Sequence, residues 1–419
     1  MRSADSKPVA VVVDGYSAGN FYPAAFARLG ADLVHVQSTP DLITSMSPPA
    51  FSDYLANVIG SDEAELVEQL RAYDPVCVVA GQDGAVPMAD RLGELLAVPS
   101  NGSALSRARR DKYEMIEALR RAGVRCAQQF KSTDPAAVAA WAQEHGRYPV
   151  VVKPLSSAAS DGVRICRNVD EVVEAAENVL TSRNIFGAAN AEILVQSYLK
   201  GTEYIVDTVS CDGHRYTCGV WEYEKTLLPN GRNIYNRDFL VDPDGELVAE
   251  LTAYLDEVLQ ALDVRWGPAH AEVIVTPEGP VLVEIGTRLN GNIHADFHDV
   301  CLGHNQAGLT AEAFVHPERF VEQYGGGTYR KLRPAAVYNA PTTLDGVVAA
   351  VDQSVVDEIA GLDSVFTVSA KLKPGARIAP TVDLLTSPLR AHLTAESEEQ
   401  LAADYERLTK LKDDIYRLA

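Results

Sequence analysis

The chain has 419 residues, 47% of them hydrophobic and 23% charged, a composition that excludes a disordered chain and predicts two or three domains or lobes. With 58 acidic and 37 basic side chains its formal charge is −21, which argues against a non-specific binder of nucleic acid or anionic membrane. A few buried lysines can still bind phosphate inside so acidic a protein.

"KPVAVVVDGYSAGNFYPAAFARLGADLVHVQS" opens with a β-branched run, Val9 to Val13, then a glycine-containing loop. A helical pattern from Phe21 to Leu29, a Gly30 stop and a strand from Asp32 to Val36 complete a βαβ unit, which implies a parallel sheet. "DPVCVVAGQDGAVPMADRLGELLAVPSNG" repeats the theme with a strand at Val76–Ala80 and a helix from Pro87 to Leu96. "DGYSAG" lacks the spacing of a dinucleotide fingerprint and reads as a plain turn, whereas "GQDGAVPMAD" is either a substrate-facing loop or a turn.

A helix is predicted from Asp111, with Met115, Ile116 and Leu119 on one stripe and Gly123 as the stop. "YPVVVKPLSSAASDGVRIC" gives a strand, a small-residue loop and a second strand, followed by a helix over Val169–Leu180. "EILVQSYLKGTEYIVDTVSCDG" gives a strand, a Lys-Gly break and a longer strand. A long amphipathic helix lies within Phe239–Leu262, short strands and turns follow Lys331, and Glu396–Leu418 reads as a charged surface helix. The six cysteines (77, 126, 166, 211, 218 and 301) show no metal-site spacing and read as small buried residues of a reducing cytoplasm. No basic and apolar leader opens the chain, and no apolar run reaches the roughly 18 residues of a membrane span, so a soluble cytoplasmic protein is expected.

Lys153 ends a strand of valines, so it is either a snorkelling edge residue or a charge aimed into a cleft. The bulk-free "SSAASDG" after it could wrap an oxyanion with backbone N–H groups, or be a surface turn. Lys112 stands in the first turn of its helix, where the macrodipole disfavours a cation, and by itself reads as solvated. "LVQSYLKGTEY" could offer backbone groups to a flat base and Glu203 to sugar hydroxyls, or be an ordinary hairpin.

The stretch "AHAEVIVTPEGPVLVEIGTRLNGN", Ala269 to Asn292, places one glutamate in each strand of an apolar hairpin. A loop of odd length centred on Glu278 sets Thr276 against Pro280 and Ile274 against Leu282, which puts Glu272 opposite Glu284 on one face. A two- or four-residue loop would put them on opposite faces, absent a bulge, and Pro277 and Pro280 disfavour the tightest loop. Like charges that close repel, and a divalent cation between them removes the objection. His270 shares the face of Glu272, and Arg288 lies four residues past Glu284. Together these four residues exceed what a structural hairpin needs.

In order, the "DKYEM" helix start, "VVVKP" with its small loop, "LVQSYLKGTEY" and "AEV…VLVEIGTR" resemble the ATP-grasp superfamily over roughly residues 8 to 330. "HAE…GPVLVEIGTRLNG" and "LKPGARIAPTVD" look most like the bacilysin-type L-amino-acid ligases. The resemblance implies an α/β ATP-grasp fold, a doubly wound N-terminal domain followed by two α+β lobes that clamp ATP. The expected divisions are an N-terminal domain 1–105, a lid lobe 106–200, a core lobe 201–330 with the metal site, and a C-terminal subdomain 331–419. It also implies an ATP- and Mg²⁺- (or Mn²⁺-) dependent ligase that joins a carboxylate to an amine through an acyl-phosphate, with a homodimer as the expected assembly. Neither nucleic acid nor membrane is an expected partner.

By the same resemblance Lys112 and Lys153 contact ATP phosphates, and Ser156 to Gly162 (with Ser157 and Ser160) form the closing loop. Gln196, Tyr198 and Leu199 hold adenine, Glu203 the ribose, Glu272 and Glu284 the metal, and Arg288 the transferred phosphoryl group. His270 takes a substrate-side role. The sequence departs from the family pattern at Gly286, where many members carry a metal-binding asparagine; water and phosphate fill that place, or Asn290 does. The substrate pocket is expected near Gly81–Pro87, the Trp221–Tyr235 stretch and the segment after Arg288, with Trp221, Tyr223 and Tyr235 as an aromatic wall or as core. A bicarbonate-activating carboxylase and a non-catalytic ATP-binding protein are the alternative readings.

Overall fold

The computed structural model describes residues 7–155, 162–183, 189–227, 233–384 and 386–419. Four short apolar strands, β1 (Val9–Val13), β2 (Asp32–Gln37), β3 (Ala56–Ile59) and β4 (Cys77–Ala80), form a parallel sheet in the order β3-β2-β1-β4. The helix Tyr22–Ala27 begins one residue later than its apolar pattern, after a 3₁₀ turn over Ser17–Phe21, and ends two residues earlier, at the Arg28 cap.

A second, antiparallel sheet follows: β5 (Gln129–Ser132), β6 (Val150–Pro154), β7 (Arg164–Cys166) and β8 (Ile193–Ser197), in the order β5-β8-β6-β7. The helices Pro135–His145 and Val169–Thr181 cover it. This small layer carries Lys153 at the end of β6 and Gln196 in β8.

The largest sheet has eight strands: β9 (Thr202–Cys211), β10 (His214–Leu227), β11 (Asn233–Leu240), β12 (Gly267–Thr276), β13 (Gly279–Gly286), β14 (Ala335–Ala340), and two strands further on. After β15 (Gly346–Val351) come β16 (Val365–Ala370), β17 (Arg377–Ile378), β18 (Leu389–Thr394) and β19 (Tyr416–Leu418). The order β13-β12-β9-β10-β11-β14-β18-β16 shows that strands after residue 330 continue the same sheet. The final helix is Glu398–Leu411; residues 416–418 leave it to pair with β15, which the charged helical pattern had hidden.

Alternation along the central strands divides this sheet into two unlike faces. Tyr204, Val206, Ala271 and Val273 point down onto the helices Lys112–Ala122 and Glu246–Ala261 and belong to the main core. A valine such as Val206 or Val273, fully buried, contributes roughly 1.5–3 kcal/mol. Glu203, Ile205 and Asp207 of β9, with His270, Glu272 and Ile274 of β12, point the other way. The downward face holds the sheet; the upward face carries the chemistry.

Candidate active site

The hairpin β12–β13 brings Glu272 opposite Glu284, but by a different route from the one the loop suggested. Thr276 pairs with Gly279, so the turn is the two-residue Pro277-Glu278, and Val275 faces Pro280 and Val273 faces Leu282. That register alone would leave the two glutamates on opposite faces. A bulge at Val283 adds one residue to β13 and restores them to one face. The tight turn is possible because Gly279 takes φ +109° and Pro280 lies in the sheet's edge strand, where a missing N–H is tolerated. Two carboxylates at cross-strand distance repel by about 3 kcal/mol at an effective dielectric near 20. Positive charge is therefore needed above them.

Lys112 supplies part of it. Asp111 caps the helix by accepting from the N–H groups of Tyr113 and Glu114, which places Lys112 at the first helical position, and its Nζ forms an ion pair with Glu284. Burial pushes its pKa down to about 8, against the pull of Glu272 and Asp83. So Lys112 is not the solvated surface cation that its helix position suggests. Lys153 is 7% exposed; burial, then repulsion from Lys112, lowers its pKa to about 7. Buried lysines with depressed pKa values among carboxylates mark a functional cleft rather than a snorkelling edge.

The upward face supplies the rest. Glu203 pairs with Lys225 Nζ at 2.7 Å, its pKa raised by burial, and its Oε1 is buried with no hydrogen-bond partner. Tyr223 Oη donates to Glu272 Oε1 at 3.3 Å. His270 Nδ1 lies 2.8 Å from Asp207 Oδ1, while Asn290 Nδ2 donates to Asp207 Oδ2 at 2.8 Å. Asn290 Oδ1 also accepts from the Asn292 N–H, so its side chain is committed to Asp207 and its own loop and does not fill the place of a third metal ligand. Gly286 has a steric reason: a Cβ there would lie 3.1 Å from Asp83 Oδ1 and 3.3 Å from Arg288 Nε. Glycine makes room for Arg288, which approaches Asp83 at 3.6 Å and donates to the Leu289 carbonyl.

Most of these groups open on one cavity of about 580 Å³ between the small sheet and the upward face of the large one. Lys112, Lys153, Glu203, His270, Glu272, Glu284 and Arg288 line it. Val151, Ile165 and Leu199, with Gln196 and Tyr198, form an apolar slot beside Lys153 that suits a flat aromatic base. Gly162 takes φ +70°, and a Cβ there would meet Pro154 at 2.9 Å. Ser156, Ser157 and Ser160, expected in the closing loop, lie outside the described residues.

Three expectations about the pocket change. The Gly81–Pro87 segment does not line the cavity and reaches it only through Asp83, which holds Arg110 at 3.0 Å as well as approaching Arg288. Trp221 is core, stacked on Phe297, whereas Tyr223 lines the cavity; the Tyr235 side chain lies outside the described residues. Lys225, within the expected Trp221–Tyr235 stretch, lines the cavity, and Lys371, Leu384 and Arg390 line it without having been expected there. Only Lys225 had a local signal, its alternation with Tyr223 along β10.

Glu272 and Glu284 are hard oxygen donors facing each other, a pair that fits Mg²⁺ bound with substrate phosphates. Among the described residues no group of three or more His, Cys, Asp or Glu gathers as a metal site, so the protein's share would be these two carboxylates. Among the described residues no helix is long and apolar enough to cross a membrane.

Residues 146–296 match the ATP-grasp domain family. The chain is 32% identical to dapdiamide A synthase of Enterobacter agglomerans, an alignment that covers 100% of this chain and 99% of that protein. Its fold is similar to that of an L-amino acid ligase from Bacillus licheniformis, with a TM-score of 0.75 at 19% identity over the whole of both chains. It is also similar in fold to an N5-carboxyaminoimidazole synthetase from Staphylococcus aureus complexed with ADP (TM-score 0.67, 12% identity, 97% of this chain and 99% of that one).

Proposed function

The chain belongs to the ATP-grasp carboxylate–amine ligases, and we propose that it joins two amino acids, or an amino acid and a small amine, through an acyl-phosphate. The observation that carries the reading is the cross-strand pair Glu272 and Glu284 at the floor of a cavity that also holds Lys112, Lys153 and Arg288. Nucleotide binding alone would not need Arg288 set among them.

In the proposed arrangement the apolar slot of Val151, Ile165 and Leu199 takes adenine, and Glu203, with its spare buried oxygen, accepts from the ribose. Lys112 and Lys153 neutralise the phosphates. Glu272 and Glu284 would hold Mg²⁺, which, when bound, supplies charge neutralisation across the phosphates. A substrate carboxylate oxygen attacks the γ-phosphorus, the bond to the β-phosphate oxygen breaks, and ADP leaves with that electron pair. Arg288 stabilises the charge on the transferred group. The amine nitrogen then attacks the acyl carbon, the C–O bond to phosphate breaks, and the amine proton must be taken up. Positioning and charge, in a cleft shielded from water, do most of this work.

The test is an ADP-release screen of L-amino acids, singly and in pairs, with and without bicarbonate. ADP release that requires two amino acids, or an acid and an amine, is the expected result. Release that depends on bicarbonate and ignores amino acids would instead indicate a carboxylase. A homodimer in the cytoplasm completes the proposal and rests on family resemblance.

A further inference from the structure

The edge of the large sheet remote from β13 brings two more cations to the cavity. Arg390 of β18 pairs across the strands with Ser369 of β16, so Lys371, two residues on, stands beside Arg390 on the same face. Both line the cavity. Among the described residues neither forms an ion pair with a carboxylate: Arg390 Nε donates to Asn339 Oδ1 at 2.9 Å, and Lys371 is held only through its backbone N–H, which donates to the Pro388 carbonyl at 2.8 Å.

The acid whose charge acts on Arg390 is Asp238, 2% exposed, whose pKa burial raises to about 8 against the pull of Arg390. Lys371 is an exposed side chain at its strand end, yet desolvation by its surroundings, then the charge of Arg390, lowers its pKa to about 8. Asn339, opposite Arg390 on β14, adds a buried Nδ2 with no acceptor. Two cations thus face one carboxyl at this edge, where Asp238 Oδ1 is itself a buried acceptor without a donor, whereas the hairpin side holds charge of both signs. An anion brought by a ligand removes the imbalance.

In the proposed arrangement the phosphates, including the one transferred to the reacting carboxylate, have their own partners in Lys112, Lys153 and Arg288. An anion beside Lys371 must therefore be a different group. An amino acid that donates its amine always carries one: its own carboxylate. An acyl donor carries a second carboxylate only if it is dicarboxylic. We propose that Lys371 and Arg390, braced by Asn339, form an anion subsite that receives the carboxylate of the amine-donating amino acid. This deepens the ligase reading and rests on it.

The test compares the proteinogenic L-amino acids with their primary amides as amine donors. A recognised carboxylate should give the free acids a kcat/KM about 100-fold above their amides, because the amide leaves both cations of the subsite without an anion. Lys371→Met should shrink that ratio to about tenfold or less, and Lys371→Arg should restore most of it. Equal kcat/KM for acids and amides in the unaltered enzyme would overturn the proposal, and that comparison needs no variant to fold. A Lys371→Met enzyme that lost both activities equally, with the ratio intact, would also overturn it. Selectivity for dicarboxylic over monocarboxylic acyl donors, in place of acid over amide, would move the subsite to the acyl donor and contradict the assignment. Hydroxamate formation from the acyl donor with hydroxylamine separates the two levels. If no hydroxamate forms with any acid, the ligase reading fails; if it forms while acids and amides remain equal, only the subsite does.

Discussion

At the hairpin side of the cavity Lys112 and Lys153 stand among three carboxylates, Glu203, Glu272 and Glu284, whereas at the opposite edge Lys371 and Arg390 stand beside one buried carboxyl, Asp238. The first side has charge of both signs and suits a ligand that brings both, a nucleotide with its cation. The second has surplus positive charge and suits a plain anion. One sheet face serves both because its strands continue past residue 330 and return two late cations to the same cavity.

The mixed-charge side can be broken most severely at Glu284. Glu284→Gln removes one of the facing carboxylates and the partner of Lys112, and turnover should fall about a thousandfold with the circular dichroism spectrum unchanged. Near-normal activity would remove this residue from the phosphate chemistry. Arg288→Ala should lower kcat by about 10²–10³-fold while the dissociation constant for ATP moves far less. The opposite split, weak ATP binding with kcat preserved, would place the arginine on bound nucleotide only.

A change of pH acts on the same side without mutation. In the free protein Lys112 and Lys153 lose their protons at about 8 and about 7, so each is charged below its value and neutral above it. Phosphate needs them charged. The dissociation constant for ATP should therefore rise about tenfold or more from pH 7 to pH 9, with proton uptake on binding seen by calorimetry in buffers of different ionisation enthalpy. An affinity constant across that range would show that neither lysine meets the phosphates. The smallest effect is expected at Gly286. Gly286→Ala puts a methyl group 3.3 Å from Arg288 Nε and should reduce kcat about tenfold with little change in ATP binding.

The same contrast shows what could be read from the chain. The alternating strands around Glu203, His270 and Glu272, and the Lys112 and Lys153 positions, carry local signals: a cap, a valine run, a glutamate in each arm of a hairpin. Even there the register came out through compensation, since the loop is shorter than inferred and the bulge at Val283 makes up the difference. A bulge leaves no mark in alternation until the partner strand is known. Lys371 and Arg390 lay beyond reach for another reason. Their place depends on β14 pairing with β11 and β18, contacts between segments far apart in sequence. Asp83 was legible only as a loop residue, and its hold on Arg288 joins two separate sheets.

The most direct test follows the oxygen of the activated acid. With an acyl donor labelled with ¹⁸O in its carboxylate, an acyl-phosphate mechanism must deliver one labelled oxygen from the carboxylate to inorganic phosphate for each amide formed, with ADP as the other product. Phosphate free of label, or label recovered in AMP, would contradict the reaction assigned to Glu272, Glu284 and Arg288.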